Sequence, residues 1–561
     1  MEKKKKLPIG IDEFEKLREE DFYYIDKTGL IRELLSDWGM VNLFTRPRRF
    51  GKSLNMSMLE SFFSINGKHS CFDGLEITKE TEICKEYMGK YPVIAISLKG
   101  VEAGDFETAK QMLVMTINSM ARKLQKLQEG NVLTEIEKNL YMRLLDYKMS
   151  DALLMDSLRI MSELLRKYYG QKVIILIDEY DVPLAKAFEN NYYDQMVTLI
   201  RGFLSQALKT NENLKFAVLT GCMSISKESI FTGLNNLRVL SVADVEFDEY
   251  YGFTEKEVQN LLKYYELESV GDEIKEWYDG YLFGKAEVYC PWDVICFVSK
   301  LRSDPEASPQ NFWINTSSNN IVRKFIQCAA DNGTVRKEIE CLVEGDTVTK
   351  EIRQELTYRE MYDSLENIWS VLFTTGYLTQ RGKTADNKFD LLIPNMEIRN
   401  IFVLQIMEYF KENVRRDGKT LNQFCNALEN GNTEELEQCL TSYLRKTISI
   451  RDTFVRKSLK ENFYHGIILG ILGMKEQWSV ASNREAGDGY SDILVETEDM
   501  EKGIIIEIKY AHDGDLEKAC KTALKQIEEL NYEEELHDEG IYKILKYGIG
   551  FYKKRCRVIV S

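Results

Sequence analysis

An α/β architecture follows from three features of this chain. Apolar strands alternate with helical stretches between residues 41 and 219, one strand runs into a basic turn and then Gly51-Lys52-Ser53, and a separate pair of strands lies near the C terminus. Short, wholly apolar runs read as strands buried on both faces, as a parallel sheet covered by helices requires. Strand–helix alternation of this kind places ligands beyond the carboxyl ends of the strands.

In chain order, residues 7–35 read as two helices joined by a turn holding Tyr24, Asp26 and Lys27. That turn is read as a plain helix connection, with contact to a nucleotide base as the sharper alternative. Val41 to Leu59 then gives strand, turn and helix, the context of a phosphate-binding loop. Free N–H groups and the positive dipole end at the helix start attract an anion. Lys52 is placed to reach phosphates and Ser53 to offer a hydroxyl to Mg²⁺. The first glycine of the usual loop is replaced by Arg46, followed by Pro47, Arg48, Arg49 and Phe50. An ordinary helix start is the alternative reading of the tripeptide.

Residues 91–98 form a further strand, and residues 106–127 and 151–169 form two long helices. Val173 to Ile177 is a buried-type strand closed by Asp178-Glu179. An aspartate there can hold Mg²⁺ and the glutamate can orient an attacking water, so Asp178 is assigned to metal and nucleotide and Glu179 to catalysis. After a helix over 191–208, Leu214 to Leu219 makes another strand ending in Thr220-Gly221. Thr220 is either a γ-phosphate or water sensor or a simple turn residue.

Length and composition bound the rest. A chain of 561 residues divides into several cores, and 44% hydrophobic with 29% charged residues describes a globular protein. The formal charge of −16 opposes general attraction to nucleic acid, so such binding needs local basic patches. Candidates are Lys3 to Lys6, Arg46/Arg48/Arg49 and Lys553 to Arg557. Eleven cysteines without a C-x-x-C pair and four dispersed histidines argue against a disulfide framework or structural zinc. No signal peptide or spanning segment is visible, which predicts a cytoplasmic protein without membrane attachment.

Residues 253–410 read as mainly helical and rich in aromatics, with 373–378 and 389–393 as a hairpin, a weak match to a winged helix. Near the C terminus, Ser491 to Val495 and Gly503 to Lys509 read as paired strands. Period-two alternation puts Glu507 and Lys509 on one face and Ile504, Ile506 and Ile508 on the other. With Asp492 entering opposite, two carboxylates and a lysine converge, a set that suits Mg²⁺ and phosphodiester chemistry. Asp492 and Glu507 are the metal ligands, and Lys509 positions water and stabilises charge. Glu461 on the preceding helix and Gln526 on the following one add support.

The motifs YYIDKT, TRPRRFGKSLNMSML, VIILIDEYD, LTGCMSISKESIFTGLNNL, WYDGYLFG, VYCPWDVI, FWINTSSNN, LFTTGYLT and NREAGDGYSDI followed by IIIEIKY occur in one order. Together they resemble a bacterial family of AAA-ATPase-like proteins with a C-terminal PD-(D/E)XK nuclease domain. The resemblance implies four parts: an AAA-like P-loop ATPase over 1–252, a helical lid and winged-helix-like region over 253–410, a helical connector over 411–460 and a nuclease-like α/β domain over 461–561. It implies ATP and Mg²⁺ as cofactors, an arginine-rich loop as the family's usual pattern, and Glu461 and Gln526 as auxiliary nuclease positions. It further implies a nucleic-acid partner, DNA ahead of RNA, and leaves homo-oligomerisation open. Ser224 departs from a pattern that often carries arginine, which bears on ATP turnover. The leading expectation is an ATP-regulated nuclease. The alternatives are an ATP-switched regulatory or DNA-binding protein with a non-cleaving nuclease fold, and an ATPase using that fold for protein contacts.

Overall fold

A computed structural model describes residues 4–209, 211–224, 236–313, 319–330, 332–446, 457–475, 477–486, 489–497, 502–533, 536–537 and 540–561. The chain forms two compact units, Met1–Ser317 with Thr349–Glu397 and Ser318–Val348 with Ile398–Ser561. Each contains its own five-stranded sheet.

In the first unit the strands are β1 (Val41–Thr45), β2 (Val93–Ser97), β3 (Val173–Asp178), β4 (Leu214–Gly221) and β5 (Leu237–Leu240). They lie in the order β2-β3-β4-β1-β5, and every pair is parallel. β1 and β3 are buried at every position, the signature of a sheet covered on both faces. The fold class predicted from strand–helix alternation is therefore the one observed. Helices Phe106–Lys123 and Asp151–Tyr169 follow the predicted stretches closely. A helix over Glu135–Leu144 was not anticipated, although its capping box, Thr134 with Glu137, is a readable signal.

The segment after β5 carries β6 (Phe253–Thr254), β7 (Tyr281–Phe283) and β8 (Ala286–Tyr289) in one small sheet, ordered β6-β8-β7. A second small sheet joins β9 (Val348–Lys350), β10 (Thr379–Lys383) and β11 (Phe389–Leu392) in the order β10-β11-β9. Here the sequence reading needs one correction. Residues 373–378 are not the first hairpin strand: helix Leu365–Thr374 runs into them, and the strand begins at Thr379. Phe-Thr-Thr-x-Tyr-Leu favours strand by propensity, but the Thr374 and Thr375 hydroxyls donate back to the carbonyls of Ser370 and Val371. Gly376, at φ +88°, then turns the chain.

The second unit is built on β12 (Ser479–Ala486), β13 (Gly489–Glu496), β14 (Lys502–Tyr510), β15 (Lys543–Tyr552) and β16 (Arg555–Val560), in sequential order. Neighbours are antiparallel except β14 and β15, which are parallel and joined through helix Leu516–Glu529. Gly548 and Gly550 on β15 let this helix approach. A Cβ at either would lie 2.4 Å from the Cys520 carbonyl or 2.6 Å from that of Leu516. The eleven cysteines are free thiols. Among the described residues, no helix is long and apolar enough to cross a membrane.

Candidate functional sites

In the first unit, β4 lies between β1 and β3, so Thr220 stands between the loop after β1 and the acids after β3. Three side chains form a short chain of hydrogen bonds. Ser53 Oγ lies 2.6 Å from Asp178 Oδ2, and Thr220 Oγ1 lies 2.5 Å from Asp178 Oδ1. Thr220 Oγ1 also accepts from the Glu179 backbone N–H at 3.2 Å, and Glu179 has a positive φ of 52°. The hydroxyl thus holds both acids in place from a fully buried position. Burial raises the pKa of Glu179, with nearby Lys52 acting in the opposite sense.

The loop shows why its first glycine can be replaced. Arg46 is not among the residues with positive φ, whereas Arg49 (φ 73°) and Gly51 (φ 78°) are. The left-handed conformation falls late in the loop, so a side chain at 46 meets no backbone penalty. Helix Lys52–Phe63 starts after Gly51 and offers the unpaired amides of its first turn. Lys52 Nζ, almost wholly buried, donates to the carbonyls of Arg46 (3.1 Å) and Pro47 (2.9 Å).

The loop's other side chains divide. The Arg46 guanidinium is fully buried and donates to the carbonyls of Thr45, Leu240 and Phe247. It packs over Tyr251 and Phe283, and burial pulls its pKa down to about 10. Phe50 is buried against Tyr281 and Phe283, and Arg49 stacks 4.2 Å over Trp292. The side chains of Arg46 and Phe50 therefore bind the loop to its own unit rather than facing a ligand. Arg48 is exposed, and its charge is favoured by Cys222, Asp181 and Glu179 nearby.

Sequence reasoning passed over several residues here. Asp181 accepts from the backbone N–H of Cys222 (2.8 Å) and Met223 (3.1 Å), and Tyr180 donates to the Met223 carbonyl, so the end of β4 is fixed from β3. Gly221 has no room for a Cβ, which would meet Tyr180 at 2.6 Å. Asp293 and Glu397 form a buried acid pair, with Glu397 accepting from the Trp313 N–H. The turn holding Tyr24, Asp26 and Lys27 lies between helices Phe14–Glu19 and Gly29–Ser36 and is tied to its own unit by side-chain contacts. Lys27 pairs with Glu257 at 2.7 Å, and Asp26 accepts from Thr28 and from the Glu76 N–H. Ser224 is buried, and the rest of its motif, 225–235, lies outside the described residues.

In the second unit, Lys509 Nζ lies 2.9 Å from Glu507 Oε1, and the Glu507 side chain is 1% exposed. Ile504, Ile506 and Ile508 are buried on the opposite face, as period-two alternation predicts. Ile505, on the Glu507 face, shares a core cluster with Ile527, so that face looks toward helix Leu516–Glu529. Gln526 of that helix donates to the Tyr532 hydroxyl at 3.1 Å. Glu461, in helix Lys457–Leu472, accepts from the Tyr510 N–H at 3.3 Å, at the end of β14. Asp492 belongs to β13, one residue before Ile493, which pairs with Ile506; its side chain lies outside the described residues.

Comparison with known proteins follows the same division. Residues 8–231 match the family described as predicted AAA-ATPase, and residues 459–561 match the PD-(D/E)XK nuclease superfamily. This is the order of domains that the sequence motifs implied. The chain is also similar to a protein of Azotobacter chroococcum mcd 1 described as an uncharacterized protein in the vnfD 5' region. They are 32% identical over 327 residues, 56% of this chain and 55% of the relative. The chain thus spans about half the length of the curated relative it matches.

Proposed function

We propose that the chain is a nucleotide-dependent nuclease. The first unit binds and hydrolyses ATP, and the second cleaves phosphodiester bonds in nucleic acid with magnesium, DNA ahead of RNA. The observation that carries this reading is the Glu507–Lys509 pair, a buried carboxylate held by a half-buried cation at the end of a largely apolar strand. A charge there is costly unless paired and used. The match of residues 459–561 to a nuclease superfamily supports phosphodiester chemistry in this unit.

The residues present suit both groups. In the first unit, Ser53 Oγ and Asp178 would hold magnesium as hard oxygen donors, and Lys52 and the first-turn amides would take the phosphates. Lys52 would exchange the Arg46 and Pro47 carbonyls for phosphate oxygens. Glu179 would orient the attacking water, held at its backbone by Thr220. In the second unit, Glu507 with Asp492 would hold magnesium, while Lys509 would stabilise charge on the phosphate. Bound magnesium would lower the pKa of water and polarise the phosphodiester. Glu461 and Gln526 would assist from the flanking helices.

Plasmid cleavage with Mg²⁺ tests the nuclease half. The wild type should cut, and Asp492→Ala and Lys509→Ala should each lower the rate by about a hundredfold or more. Cleavage persisting in both variants removes the proposed centre. Nucleic-acid binding without cleavage under any nucleotide condition would favour the regulatory alternative. Lys52→Ala tests the other half, by loss of ATP binding in titration calorimetry.

A further inference from the structure

The two edges of the first unit's five-stranded sheet differ. β5, at one edge, carries Arg238, which pairs with Asp37 and Glu246. β2, at the other, reads Val-Ile-Ala-Ile-Ser, with neither charge nor proline inside it. Charge and proline are the usual guards of an exposed edge. Ile174 N–H donates to the Pro92 carbonyl, and Leu98 N–H donates to that of Asp178. Alternate residues of a parallel strand face the same neighbour, so Val93, Ala95 and Ser97 direct their N–H and C=O groups away from β3. A further ladder begins on that side and stops. Tyr91 donates to the Phe63 carbonyl and accepts from the Ile65 N–H, and the chain then turns where Gly67 donates to the Ser64 carbonyl. Among the described residues, no strand lies beside Val93–Ser97 on this side.

Next to this open stretch is a cavity of about 360 Å³ between β2 and helix Phe106–Lys123. Ala95, Ile96 and Ser97 form one wall, and Met115, Ser119 and Lys123 stand in the other. Met115 is 54% exposed, a large apolar side chain that an occupant would cover. Lys123 carries the one charge on these walls among the described residues, and Arg122 and Lys126, close to it in sequence, are exposed. Two demands on an occupant follow. The edge calls for a backbone with alternating donors and acceptors, and the wall calls for a carboxylate. A phosphodiester chain offers acceptors without such donors, and a second copy of β2 carries no acid to meet Lys123. We propose that β2 accepts an extended acidic segment of a partner protein as a sixth strand, with one of its carboxylates paired to Lys123. This surface is separate from the loop after β1, because β3 and β4 lie between them.

The test uses the full chain and a fluorescein-labelled peptide of about seven residues in which valine and glutamate alternate, followed by fluorescence anisotropy. The same peptide with lysine for glutamate should bind about tenfold more weakly or worse. So should a version methylated at alternate backbone nitrogens, which keeps the charge and loses the donors. Lys123→Glu should weaken the glutamate peptide by about tenfold or more and strengthen the lysine peptide. Ala95→Pro should abolish binding, because it removes an outward N–H that the ladder to β3 does not use. Lys123 is exposed, so Lys123→Glu should melt with the wild type and keep the test decisive if Ala95→Pro fails to fold. A wild type that ignores the glutamate peptide at millimolar concentration overturns the proposal. Equal binding of the methylated peptide overturns it as well, since charge alone would then suffice. A wild type that sediments as a dimer split by Ala95→Pro gives the edge to a second copy and overturns the acidic partner.

Discussion

At the scale of single residues, Arg46 shows how a substituted loop can remain built. A cation removed from water must find several acceptors, and Arg46 finds three backbone carbonyls and two aromatic faces. Asp244 and Asp248 supply the more distant negative charge. Arg46→Met keeps much of the volume but leaves carbonyls of Leu240 and Phe247 without a donor. The expected cost is about 2–4 kcal/mol, read as a lower urea midpoint at constant slope. An unchanged midpoint would mean that the carbonyls find other donors and that the cage is incidental. Nothing local in TRPRRFGKS distinguishes this buried arginine from the exposed one two positions on. Their difference comes from β5 and the segment after it, some 200 residues away in sequence, which is why the loop was legible as a loop and its side-chain roles were not.

At the scale of elements, the periodic signals were the legible ones. Val41 to Thr45 and Val173 to Asp178 announced buried parallel strands, and Glu507 and Lys509 announced a charged face, because alternation and continuous apolarity are local properties. The acid pair that joins helix Pro291–Ser303 to the start of helix Met396–Arg416 had no such signal, since Asp293 and Glu397 are a hundred residues apart. Burial raises the pKa of both carboxyls, and the charge of Asp293 raises that of Glu397 further, so the pair holds a proton. The groups facing it are Cys290, the Trp313 N–H and Arg49. An acid whose folded pKa exceeds its unfolded one stabilises the fold fully below the ordinary carboxylate range. That contribution drains as pH rises, because the unfolded chain releases the proton first. The wild-type melting temperature should therefore fall between about pH 5 and about pH 9, and Glu397→Gln, which keeps a hydrogen-bonding group without the titration, should flatten the fall. Parallel curves for the two proteins would show that the proton lies elsewhere.

At the scale of the whole molecule, the question is how a chain of charge −16 would hold a polyanion. Four cations of the basic runs that the sequence offered are paired with acids within their own units. Lys4 pairs with Glu266, Lys5 with Asp21, Lys554 with Glu340 and Arg557 with Glu437. The partition into two units was also beyond a linear reading, because the chain leaves the first unit at Ser317, returns over Thr349–Glu397 and leaves again. No composition shift marks those crossings. With these cations paired and the net charge negative, the expectation is that binding to nucleic acid comes from close contacts at the cleavage site rather than from a long electrostatic track. Each neutralised phosphate of duplex DNA adds about −0.9 to the slope of log K against log salt. Binding of a short duplex to the Asp492→Ala protein, followed by fluorescence anisotropy from low to moderate salt, should give a slope no steeper than about −3. A slope near −8 would demand about nine phosphate contacts, and these ion pairs would then have to open to provide them. The shallow slope is the outcome expected from the charge balance.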